Sequence, residues 1–110
     1  MQISANSNIK MIRGDSEVLL ISCKGYSFVQ GDKITFTVRK SRRDTTKHLQ
    51  KIATEFVDGK AVININPEDT SGMDFGEYIY DVQLDRMDGV VKTIVKPAAF
   101  TVELEVTYDD

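Results

Sequence analysis

At 110 residues with a single cysteine, the chain is one domain in size and cannot close an internal disulfide. It holds 11 Val, 10 Ile and 9 Thr against 5 Leu and 5 Ala, which excludes a helical bundle, because β-branched side chains fit pleated strands whereas Leu and Ala favour helices. A formal charge of −3 argues against general nucleic-acid affinity, and no apolar run approaches the ~20 residues of a membrane helix.

Residues 1–8 are polar and lack the basic region and apolar run of a signal peptide. They are expected to be a flexible N-terminus ahead of a single domain over 9–108. Ile9, Met11 and Ile12 suggest a short first strand, and Arg13-Gly14-Asp15-Ser16 reads as a turn. Val18 to Cys23 is almost continuously apolar, as in a strand covered on both faces. Gly25 and Gly31-Asp32 bracket a loop holding Tyr26 and Phe28. From Lys33 to Arg39 the chain alternates, with Ile34, Phe36 and Val38 on one face. Residues 40–47 are polar and basic and read as a mobile loop.

Leu49 to Val57 resumes a strand. Asp58-Gly59 then separates it from the alternating Ala61, Ile63 and Ile65, a strong hairpin signal because a type I′ turn needs positive φ at both central residues. Pro67 to Asp74 reads as a crossover with one helical turn, capped by Asn66 and with Pro67 first inside. Tyr78, Tyr80, Val82 and Leu84 share one face of the best strand, and Asp81, Gln83 and Asp85 the other. Asp88-Gly89 forms a second turn into Val90–Val95. After Pro97 a last strand alternates from Phe100 to Thr107, and Tyr108-Asp109-Asp110 closes the chain. The sum is an all-β, immunoglobulin-like antiparallel β-sandwich of seven to eight strands.

Few residues carry chemistry. In Asp74-Phe75-Gly76-Glu77-Tyr78, Tyr78 is placed for a tyrosine corner, its hydroxyl bonding back to the crossover and Gly76 allowing the approach; the alternative is a core Tyr78 whose hydroxyl reaches water. Phe36 is expected to fill the core. Cys23 stands at the early-strand position of an immunoglobulin cysteine, but Tyr80 occupies the partner position, so Cys23 reads as a small buried apolar residue. Arg13-Gly14-Asp15 spells an adhesion tripeptide, and is more simply a turn. The lone His48 reads as solvent-exposed. Glu68, Asp69, Asp74 and Glu77 lack the spacing of a calcium loop and read as turn caps. Neither phosphate-binding glycine loops nor a G-x-S-x-G elbow occurs. No catalytic residue, metal or cofactor is expected. Arg39, Lys40, Arg42, Arg43, Lys47 and Lys51 oppose a single acid, Asp44. They are either a solvated loop that repels edge pairing or a contact to an acidic neighbour. That neighbour is another protein subunit or, less well supported because no aromatic residue is interleaved, nucleic acid.

Taken in order, several segments resemble small phage tail and baseplate-associated proteins from phages and prophages of Gram-positive bacteria, in particular the N-terminal domain of the baseplate upper protein type. They are Ile12-Arg13-Gly14-Asp15-Ser16, Gln30 to Val38, Ala61 to Thr70, Gly76 to Leu84, Asp88 to Ile94 and Phe100-Thr101-Val102. The Pro-Glu-Asp-Thr crossover followed by Gly-x-Tyr-x-Tyr-Asp is the most distinctive combination. The resemblance implies an immunoglobulin-like sandwich serving as a virion structural or assembly module. Its location would be the virion, or the bacterial host cytoplasm during assembly. Its partners would be other virion proteins or copies of itself, with no membrane. Such domains begin longer chains, whereas this sequence stops after the domain, so a receptor-binding or trimerising segment is not expected. The rival reading is a bacterial immunoglobulin-like module that binds carbohydrate or a cell-surface partner, with Tyr26, Phe28 and Tyr108 as its candidate aromatic platform.

Overall fold

The computed structural model describes residues 1–5 and 7–104; the expected alternation to Thr107, Tyr108 and the acidic end lie outside them. The strands are β1 (Gln2–Ile3), β2 (Ile9–Ile12), β3 (Glu17–Ile21), β4 (Lys33–Arg39), β5 (Leu49–Ala53), β6 (Phe56–Val57), β7 (Lys60–Ile65), β8 (Gly76–Asp85) and β9 (Val91–Glu103), with one short helix, α1 (Pro67–Ser71). They form two sheets, β1-β3-β7-β6 and β2-β9-β8-β4-β5. This is the strand order of an immunoglobulin-like sandwich, with the first strand divided between the sheets.

The core lies between the inward faces. Leu19, Ile21, Ile63 and Ile65 from one sheet meet Ile34, Phe36, Val38, Tyr80, Val82 and Phe100 from the other, all buried. Phe36 sits near the centre, its ring 5.3 Å from Tyr80 and 6.1 Å from Phe100. The period-two pattern of β4, β7 and β8 therefore gives the inward set directly.

Several expectations need correction. The sandwich has nine strands among the described residues, and its sheets are mixed: β1 pairs with β3, and β2 with β9, in parallel. Neither pair is joined by a tight turn, so an antiparallel arrangement is not imposed. The N-terminus is not wholly loose. Ile3 is buried, and Leu20 and Ser22 donate their N–H groups to Met1 and Ile3 carbonyls at 2.8 and 3.1 Å. The segment 49–57 is two strands, because the chain crosses from one sheet to the other at 54–55. β3 is covered on one face only: Leu19 and Ile21 are buried, whereas Val18 is exposed. β9 runs unbroken through Pro97, with register shifts around that residue.

Both hairpins form. Asp58 and Gly59 have φ of 52° and 74°, as a type I′ turn requires. The second loop spans residues 87–89; Gly89 takes φ 91° while Arg86 N–H meets the Val90 carbonyl at 2.8 Å. That is a type I turn closed by a glycine bulge.

Candidate functional site

The basic segment leaves β4 at the end of the sandwich where β8 begins, since Arg39 pairs with Ile79. The crossover carrying α1 and the 13–16 turn occupy the same end. The loop has its own local order. Asp44 Oδ1 accepts the Thr46 N–H at 2.9 Å, and the Asp44 N–H donates to the Ser41 carbonyl at 3.2 Å, the self-bonding for which Asp is favoured in turns. His48 Nε2 lies 3.3 Å from Asp44 Oδ2, and the His48 N–H donates to the Val38 carbonyl at 2.9 Å. The Thr46 N–H, with smaller contributions from His48 and the Lys40 backbone, holds the Asp44 carboxyl below the usual carboxylate range.

Beneath the loop is Tyr78, which is buried. Its hydroxyl donates to the Asp74 carbonyl at 2.9 Å, four residues upstream, the geometry of a tyrosine corner. Gly76 has φ 130°, which favours glycine strongly. The His48 ring meets the Tyr78 ring edge-on at 5.3 Å, and Lys40 Nζ lies 4.4 Å from the Tyr78 centroid.

The six cations do not act as one set. Lys51 Nζ pairs with Asp69 Oδ2 at 2.9 Å, tying β5 to α1. Burial would raise the Asp69 carboxyl, but the Asn66 N–H and Lys51 outweigh it and keep it low. Lys40 is spent on the Tyr78 ring, and Arg39 Nη1 lies 3.9 Å from Asp81 Oδ2. Arg42, Arg43 and Lys47 are exposed and have no ion-pair partner among the described residues.

Arg39 and Arg42 also line a cleft of ≈ 160 Å³ with Thr37, Ile79, Tyr80, Asp81 and Pro97. Its cause is the irregular β8–β9 ladder. Register steps from Tyr80↔Ala98 to Val82↔Val95, so Asp81 has no paired residue across from it. Pro97 lacks the N–H that a regular ladder needs and sits at this bulge. Burial pushes the Asp81 carboxyl up, and Arg39 offsets only part of that. Sequence reasoning placed Asp81 on an outward strand face and missed the cleft; the signal available was a proline inside an otherwise regular strand.

The other sequence candidates fall elsewhere. The Arg13-Gly14-Asp15 turn packs on the crossover: the Gly14 N–H donates to Thr70 Oγ1 at 2.9 Å, and the Arg13 guanidinium lies 4.1 Å from the Phe75 centroid. Cys23 is half-buried rather than buried, at the mouth of a loop. Glu68, Asp69, Asp74 and Glu77 do not gather into a cluster able to hold a metal ion among the described residues. Phe28 is buried, and Tyr26 is engaged with its neighbours, so these two do not form an exposed aromatic platform; Tyr108 lies outside the described residues.

A buried carboxylate that the sequence did not flag is Asp32, at the opposite end. Its Oδ2 accepts from Tyr26 Oη at 2.8 Å and the Val29 N–H at 3.0 Å, and its Oδ1 from the Met87 N–H at 3.0 Å. Burial would raise its carboxyl, but these three donors and the nearby Arg86 outweigh that and hold it low. Arg86 lies over the Tyr26 ring at 5.0 Å. The 22–32 loop is thereby tied to the β8–β9 hairpin.

No helix among the described residues is long and apolar enough to cross a membrane. The chain matches no family model, and no curated protein sequence matches it.

Proposed function

We propose that the chain is a non-enzymatic structural or assembly module of a phage or prophage virion, in the tail or baseplate, that contacts other virion subunits. The motif order from Ile12 to Val102 supports the phage setting. The observation that carries an interaction role is the 40–48 loop. It is pinned at Asp44, His48 and Tyr78, yet it holds Arg42, Arg43 and Lys47 outward with no ion-pair partner among the described residues. A pre-ordered loop loses less conformational freedom on binding, and unpaired cations on it favour an acidic neighbour. Copies arranged in a symmetric ring would make weak single contacts multivalent.

The test is mass spectrometry of purified particles, with light scattering of the isolated protein for its oligomeric state. The chain is expected as a stoichiometric particle component. Finding it only in infected-cell cytosol overturns the reading. The rival carbohydrate-binding reading gains no support from Phe28, which is buried, or from Tyr26, whose hydroxyl is bonded to Asp32.

A further inference from the structure

Of the surface features, the half-open cleft beside the β8–β9 bulge combines a small concave shape with a definite chemistry. Two arginines, Arg39 and Arg42, and one carboxylate, Asp81, line it. At 3.9 Å the Arg39–Asp81 pair is a loose ion pair and longer than a hydrogen bond. The N–H fork of Arg39 is therefore not consumed by Asp81 and can meet a second acceptor. Thr37 Oγ1 accepts from Gln50 Nε2 at 3.1 Å, which leaves the hydroxyl proton of Thr37 to donate. Ile79 and Pro97 supply apolar walls. At ≈ 160 Å³ the cleft is smaller than the roughly 300–1,000 Å³ of pockets for drug-sized ligands, so it suits one side chain.

On the reading of the chain as an interaction module, we propose that this cleft anchors a carboxylate side chain from an acidic peptide segment of the partner. Arg39 and Arg42 grip the carboxylate, Thr37 donates to it, and Ile79 and Pro97 pack on its aliphatic stem. Arg43 and Lys47, on the same loop, attract the neighbouring acids of that segment. Nucleic acid is the weaker occupant. Tyr80 is the one aromatic residue lining the cleft, and it is buried, so it offers no open ring face for base stacking.

The experiment is fluorescence anisotropy of a labelled oligoglutamate peptide against the intact chain at low and moderate salt. Chemical-shift mapping locates the bound peptide. Shifts are expected at Thr37, Arg39, Arg42 and Asp81. Arg42→Gln should weaken binding about tenfold, the loss of one charge-assisted contact. Arg43→Gln and Lys47→Gln, which remove the same charge outside the cleft, should weaken it no more than about threefold. Asp81→Asn should strengthen it, because it removes the repelling carboxylate. Arg42 is exposed, and equal melting temperatures will show that its variant stays folded. Any one of three results overturns the proposal: no binding, equal losses in all three cation variants, or tighter binding of an oligothymidylate of equal charge. If the chain is nevertheless found in particles, the assembly reading survives without the cleft; if it is absent from particles but binds the peptide as described, the cleft survives and the virion setting fails.

Discussion

Phe36 and Thr35 are sequence neighbours with opposite fates. Phe36 is fully buried between Tyr80 and Phe100, whereas Thr35 faces outward from the same strand. Phe36→Ala should cost roughly 3–5 kcal/mol through lost burial and the cavity left behind, and Thr35→Ala within about 0.5 kcal/mol. Urea midpoints of the two variants check this. Tyr78→Phe keeps the ring and loses only the bond to the Asp74 carbonyl, a cost of about 1 kcal/mol. Asp32 is a different case, because three donors converge on its two oxygens. Asparagine would offer one oxygen and turn an NH₂ toward a donor, so Asp32→Asn should cost about 2 kcal/mol. The folded carboxyl of Asp32 lies below its unfolded value. Its contribution is therefore present above the ordinary aspartate value near ~4 and is lost as pH falls through the depressed folded value. Stability measured across the acid range should fall less steeply in Asp32→Asn than in the parent. Tyr80 stays protonated through any such titration, since burial pushes its hydroxyl up to about 12.

Among the elements, β4, β7 and β8 were legible because each buries one face, which writes period two into the sequence. The crossing at 54–55 was not, because β5 and β6 both carry apolar residues and an apolar run does not say which sheet it joins. Pro97 suggested a break; the structure accommodates it as a bulge within β9, and that bulge shapes the cleft. The basic loop could be read as a charge cluster. Its division into paired Arg39, Lys40 and Lys51 and outward Arg42, Arg43 and Lys47 depends on Asp81, Tyr78 and Asp69, which are distant in sequence. Asp32 was hidden for the same reason, since Met87 lies 55 residues away. The two Asp-Gly turns also differ in a testable way. At Gly59 a Cβ would come within 2.8 Å of Ser27 Cβ at φ +74°, whereas at Gly89 (φ +91°) nothing lies within 4 Å. Gly89→Ala should cost about 1–2 kcal/mol from backbone conformation alone, and Gly59→Ala about 1 kcal/mol more from crowding. Thermal unfolding of the two variants gives the order.

At the scale of the whole molecule, the two ends of the sandwich are fastened by different chemistry. Tyr78 and the Lys51–Asp69 pair hold the end bearing the basic loop, and Asp32 holds the other. Between them the first stretch of chain runs along both sheets, with β2 lying parallel to β9 from Ile9↔Phe100 to Ile12↔Glu103 and the Arg13 N–H extending the pairing to the Glu103 carbonyl at 3.0 Å. Tension applied ahead of Ile9 and beyond Glu103 would slide these two strands past each other along their length. Their hydrogen bonds would then be loaded in shear and would have to fail together instead of peeling open singly. Pulled from those two points, the domain should show a high rupture force in single-molecule stretching. Met11→Pro, which removes a donor from that strand and cannot follow its geometry, should lower the force sharply. A sandwich so fastened is suited to carrying load along the direction of β2 and β9.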